Sequence, residues 1–228
     1  MAYTLTLGEL SETVKRAYVD TSVLAEYWSV LERADGFPDE ILNRLIPFSS
    51  SLEKIIASQS NIVSVPEILV EYRAFISSLA NKLLYVQGQE TPEKKEMGQT
   101  VINQHANILR SLGERVRYDP REEIIQEFLV SYRLHRPTTS LFVKRNFKSE
   151  TSRADASLVS AAILDVEDNG GPMAIVTGDY DIANLVMNFA RLYARDLVPT
   201  VVKKMAPVNV YFPARDAWRE RLSLRHMC

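Results

Sequence analysis

Five short apolar runs with a β-leaning composition punctuate the chain: AYVDTSV from Ala17, NIVSVP from Asn61, RVRYDP from Arg115, AIVTGD from Ala174 and VNVYFP from Val208. Between them the apolar positions return at helical spacing. PEILVEYRAFISSLANKLLY has Pro66 at a first helical position and a stripe through Ile68, Leu69, Tyr72, Ile76, Leu79 and Leu83. TPEKKEMGQTVINQHANILRSLG opens on Thr91 and Pro92 and stops near Gly113, and DPREEIIQEFLVSYRLH repeats the signal from Asp119 and Pro120. Leu24, Tyr27, Trp28 and Leu31 predict a helix after the first strand, with Asp20 as its cap, and DNGG at Asp168 to Gly171 is a turn before the fourth strand. Strands alternating with helices predict an α/β domain: three layers, α/β/α, around a central, mainly parallel five-stranded sheet.

One domain spans 1–228, with a core over about 16–212, a basic inserted loop over about 136–152 and a basic C-terminal helix over about 213–228. A hydrophobic share of 46% and a charged share of 25% exclude a disordered or fibrous chain as a whole-length description. Cys228 is the single cysteine, so a disulfide framework or a cysteine-ligated zinc site within one chain is excluded, and a reducing cytoplasm fits. The N-terminus reads neither as a signal peptide nor as an anchor, and no apolar run is long enough to span a bilayer. Net charge is −2, which argues against indiscriminate polyanion binding. Cations nevertheless gather locally: Arg136, Lys144, Arg145, Lys148 and Arg153, with Phe142 and Phe147 between them, form either a solvated face or a phosphate-contacting loop.

Acids recur where strands give way to helices. Asp20 follows the first strand, Glu67 and Glu71 lie in the helix after the second, Asp155 opens SRADASLVSAAIL, and Asp179 and Asp181 follow the fourth. Each has a structural role available: Glu67 favours a helix N-terminus, Asp155 fits a capping box with Ser152, and Asp181 can cap a helix beginning at Ile182. Glu71, deeper in its helix, has the weakest such role. In open parallel sheets ligands gather at the carboxyl ends of strands where strand order reverses. If the first and fourth strands are neighbours, Asp20 and Asp179 face each other there. Several carboxylates at one place need a counter-charge, and an all-oxygen set suits Mg²⁺ or Mn²⁺.

In that order, YVDTSVL, VSVPEILVEY, RADASLVSAAIL and IVTGDYDI make the chain resemble the PIN-domain nucleases, which include the ribonuclease toxins of toxin–antitoxin modules. The resemblance runs from about Arg16 to Phe212. It implies that Asp20, Glu71, Asp155 and Asp179 are the metal-binding and catalytic acids, with Asp181 auxiliary and Glu67 the other register for the second acid. Ser22 and Thr177 either orient carboxylates or serve as plain turn residues. Longer inter-strand helices, the basic loop and Ile182 after TGDYD depart from the compact toxins. The implied activity is Mg²⁺- or Mn²⁺-dependent hydrolysis of single-stranded RNA, with an antitoxin and a homodimer as further implied partners. The alternative is a catalytically silent PIN-like module that binds RNA or protein. A phospho-acceptor domain fails because Asp20 lacks a paired acid, and an Asp-x-Asp phosphatase fails on DTS. The helices over 67–85 and 93–112 either thicken the core or form a dimer face; a single-chain core is the commoner use of such a stripe.

Overall fold

Arg16–Val19 and Met173–Val176 are short runs buried along almost their whole length, as strands covered on both faces must be. They pair in parallel, Ala17 opposite Ala174 and Val19 opposite Val176, at the middle of the parallel part of the sheet. The computed structural model describes residues 4–25, 39–85, 91–136, 150–205, 207–213 and 223–227. Within these, β1 (Thr4–Thr6), α1 (Leu7–Thr13), β2 (Arg16–Val19), α2 (Thr21–Leu24) and α3 (Asp39–Ser58) lead to β3 (Ile62–Val63). Then come α4 (Pro66–Tyr85), α5 (Pro92–Gly113), α6 (Arg121–Ser131) and α7 (Arg153–Asn169). The chain closes with β4 (Met173–Val176), α8 (Tyr180–Tyr193), β5 (Val208–Pro213) and β6 (Ser223–Met227).

Strand order is β1-β6-β5-β4-β2-β3. The β3-β2-β4-β5 block is parallel, while β6 runs antiparallel to both β5 and β1. The architecture is thus α/β with a four-stranded parallel sheet, compatible with three layers. Tyr18, Ile175 and Val210 face a core shared with α6, α7 and α8; Ala17, Val19, Ala174 and Val176 face one shared with α1 to α5. The stripes of α4 and α5 do go inward: Tyr72, Leu79, Val101, Ile108 and Leu112 are fully buried. From Ala154 to Val166 α7 is buried at every residue, the behaviour of a helix enclosed on all sides.

Three expectations need correction. RVRYDP is not a strand: Arg115 and Val116 donate their N–H groups to Leu112 and Gly113 carbonyls in a turn, and Pro120 offers no donor for a ladder. The sheet gains β1 and β6 instead. The basic helix expected over about 213–228 is replaced at Ser223–Met227 by β6, which covers the free edge of β5 and buries Leu224. The helix expected through Leu31 is present as α2 only to Leu24; Tyr27, Trp28 and Leu31 lie outside the described residues.

Candidate active site at the carboxyl ends of the parallel strands

Where β2 and β4 end side by side, their first loop residues interlock. The Asp20 N–H extends the ladder onto the Val176 carbonyl at 3.0 Å, and the Thr177 N–H does the same onto Tyr211. Asp20 then leaves the strand with extended backbone and caps α2, its Oδ1 accepting the Thr21 N–H at 2.7 Å. Its Oδ2 accepts the Ser22 hydroxyl at 2.5 Å and the Thr177 hydroxyl at 2.8 Å. Asp20 is 5% exposed and makes no ion pair with any described residue. It is therefore a cap and also a buried anion without a cationic side chain.

Thr177 and Ser22 have the same double role. The Thr177 oxygen accepts the Asp179 N–H at 2.9 Å while donating to Asp20, which ties the Asp20 carboxylate to the Asp179 backbone through one hydroxyl. The Ser22 oxygen accepts the Gly178 N–H at 2.7 Å. A side chain at Gly178 would stand 3.3 Å from that oxygen, so glycine permits the close approach. Both roles left open for Ser22 and Thr177 are therefore filled: each hydroxyl donates to the Asp20 carboxylate and each accepts a loop N–H.

Asp179, not Asp181, caps α8, which starts at Tyr180: the Asp179 carboxylate accepts the Asp181 N–H at 2.8 Å. Asp181 lies buried in the first turn. Asp155 is buried in the first turn of α7 and donates its N–H to the Ser152 hydroxyl at 3.0 Å, which is the Ser152 half of the capping box read from the sequence.

The two glutamates of α4 each hold a different neighbour. Glu71 is exposed and accepts the Thr21 hydroxyl at 3.0 Å, next to Asp20. Glu67 accepts the Ser157 hydroxyl at 2.6 Å, one turn into the helix that carries Asp155. Both registers for the second acid thus have a hydroxyl partner, one beside Asp20 and one on α7. Thr21 and Ser157 were missed because a threonine after a cap and a serine inside an apolar helix carry no distinguishing sequence signal. Among the described residues, no three His, Cys, Asp or Glu side chains lie close enough together to hold one ion.

The cations are divided. Arg136 is exposed after α6, and Arg153 opens α7 in a groove of about 500 Å³, where Glu67, Glu122, Glu123 and Glu127 also line the wall. Lys144, Arg145 and Lys148 lie outside the described residues. His135 is buried with its Nδ1 on the Thr151 hydroxyl at 2.5 Å, so it is a core residue rather than a surface contact.

Glu122, in the first turn of α6, is 5% exposed. Burial pushes its carboxyl up to about 7; a backbone hydrogen bond from Asp119 opposes this, and the charges of Asp119, Glu67 and Asp165 add to the rise. Nearby, Asp165 receives Arg16 at 2.6 Å and the Tyr18 hydroxyl at 2.7 Å. Burial, then Asp165, push the Tyr18 phenol well above its ordinary value. No family model, no curated protein and no solved structure matches this chain.

Proposed function

We propose that the chain is a metal-dependent nuclease of the PIN-like kind, hydrolysing phosphodiester bonds of single-stranded RNA. The observation that carries the reading is Asp20, a buried carboxylate at the end of a central parallel strand that accepts three hydrogen bonds yet meets no cationic side chain among the described residues. A buried anion without a counter-charge is costly, and sites that retain one commonly use it on a cation or a reacting group. The donors at hand are carboxylate and hydroxyl oxygens, which suit Mg²⁺ or Mn²⁺.

In this reading Asp20, Glu71, Asp155 and Asp179 would hold the metal, with Asp181 as auxiliary, and since no three of these acids stand within reach of one ion in the structure, their carboxylates would have to draw together around it. When bound, the ion lowers the pKa of a water and offsets charge on the phosphate. The protein's own part is orientation. Thr177 and Ser22 fix Asp20 Oδ2 from two sides, and Thr21 draws Glu71 toward the same loop. Arg136, Arg153 and the segment carrying Lys144, Arg145 and Lys148 supply phosphate contacts for the strand. The toxin-type version of the reading adds an antitoxin partner, a homodimer and a cytoplasmic setting. Among the described residues no helix is long and apolar enough to cross a membrane.

The test is incubation of the full chain with mixed single-stranded RNA and, separately, single-stranded DNA, in Mg²⁺, Mn²⁺ or EDTA. Cutting of RNA in either metal and none in EDTA is the expected result. RNA binding with no cutting in any metal would transfer the chain to the silent binding module.

A further inference from the structure

A cavity of about 270 Å³ opens beside the edge strand β3, between the loop that follows α5 and the C-terminal half of α7. None of Asp20, Ser22, Thr177 or Asp179 lines it. Its wall is crowded with charge, but most of that charge is already paired. Arg16 is held by Asp165 at 2.6 Å, and Arg121, just outside the wall, takes Asp119 and Asp168 at 2.5 Å and Glu167 at 3.8 Å. Two guanidinium groups remain. Arg115 spends one nitrogen on the Gln59 and Ile62 carbonyls, at 2.8 and 3.1 Å, and has no carboxylate partner among the described residues. Burial pulls its pKa below the ordinary arginine value, with Glu114 only partly opposing. Arg117 is exposed and has no partner among the described residues.

Arg115 and Arg117 stand two residues apart on the segment leading into α6. Tyr118 follows, 63% exposed, its hydroxyl tied to Glu123 at 2.7 Å so that the ring is held in place with a face open. The remaining acid on the wall is Glu122, and its carboxyl, raised to about 7, can donate a hydrogen bond to an anion when it carries its proton. A dianionic phosphate monoester matches two unpaired guanidinium groups better than a monoanionic carboxylate does. An open aromatic ring suits a base. The cavity falls near the lower end of ligand pockets, roughly 300–1,000 Å³, a size for a small molecule and not for a polymer.

We propose that this cavity binds a nucleoside monophosphate, the phosphate on Arg115 and Arg117 and the base against Tyr118. The site stands on its own residues and does not depend on the nuclease reading. The experiment is calorimetric titration of the full chain with the 5′-monophosphates of adenosine, guanosine, cytidine and uridine, and with adenosine and inorganic phosphate as controls. At least one monophosphate binds saturably and more tightly than either control. Arg117→Glu, at an exposed position with no partner among the described residues, weakens that binding by about tenfold or more, the usual effect of losing a charge-assisted hydrogen bond. Thermal melting confirms that the variant is folded, and Asp20→Asn leaves the binding unchanged. Absence of saturable binding by all four monophosphates, equal binding by inorganic phosphate, or an Arg117→Glu variant that binds like the wild type would each overturn the proposal.

Discussion

Replacing Glu122 with glutamine removes one proton-binding group from a buried position while keeping its size. Glu122 titrates at about 7 in the folded chain against an ordinary 4.5. Because the folded value is the higher one, the stability associated with its proton is fully present below 4.5 and is lost as pH rises through about 7. At about 1.4 kcal/mol for each pH unit separating the two values, complete exclusion of water gives about 3 kcal/mol. Glu122 lines both cavities, so water reaches it from two sides and screening reduces the effect to about 1.5 kcal/mol. Urea unfolding of wild type and Glu122→Gln at several pH values reads this directly. The two are expected to match near pH 4, and the variant should be more stable by about 1.5 kcal/mol at pH 8. A difference that does not change with pH would refute the reasoning.

Thr177→Val removes the hydroxyl that joins Asp20 to Asp179, and chemical denaturation should show a loss of about 1–3 kcal/mol. Arg16→Met leaves Asp165 without its guanidinium; a loss of about 2–3 kcal/mol is expected, and one below about 0.5 would mean that Tyr18 and Asn169 alone hold that carboxylate. Burial pulls His105 down to about 4 from 6.5, with its Nε2 unpartnered among the described residues and its Nδ1 against the Tyr72 hydroxyl. Stability from that group is present above pH 6.5 and lost as pH falls toward 4. His105→Leu should therefore flatten the acid side of the stability profile by up to about 3 kcal/mol, measured by urea midpoints from pH 7 to 4.

The parallel centre of the sheet was legible because Ala17 to Val19 and Met173 to Val176 are short continuous apolar runs followed by turn residues, the pattern of a strand covered on both faces. Its antiparallel extension was not. Thr4–Thr6 is short and two-thirds polar, and Ser223–Met227 carries arginine and histidine, so what makes them strands is pairing, of β6 on the open edge of β5 and of β1 on β6, rather than their own composition. RVRYDP misled in the opposite direction: its alternation has a single aliphatic residue, Val116, and turn hydrogen bonds satisfy its backbone. At the candidate site, Asp20, Ser22, Thr177 and Asp179 were each readable as loop residues following two strands. Their coupling through Thr177 required knowing that β2 and β4 are neighbours. The shift of the α8 cap from Asp181 to Asp179 is a matter of a few backbone angles at Asp179 and Tyr180, which apolar periodicity does not resolve.

The central claim is that Asp20 is a metal-binding acid and more than a helix cap. Asparagine caps a helix as well as aspartate does, so Asp20→Asn preserves the cap of α2 while removing the charge. Single-turnover cleavage of single-stranded RNA in Mn²⁺ by wild type and Asp20→Asn, at matched folded fractions by thermal melting, tests it most directly. The account predicts metal-dependent cutting by the wild type and a loss of at least about a hundredfold in the variant, the scale of removing one group that stabilises charge in the transition state. Equal cutting by the two proteins would contradict it and leave Asp20 with the capping role alone.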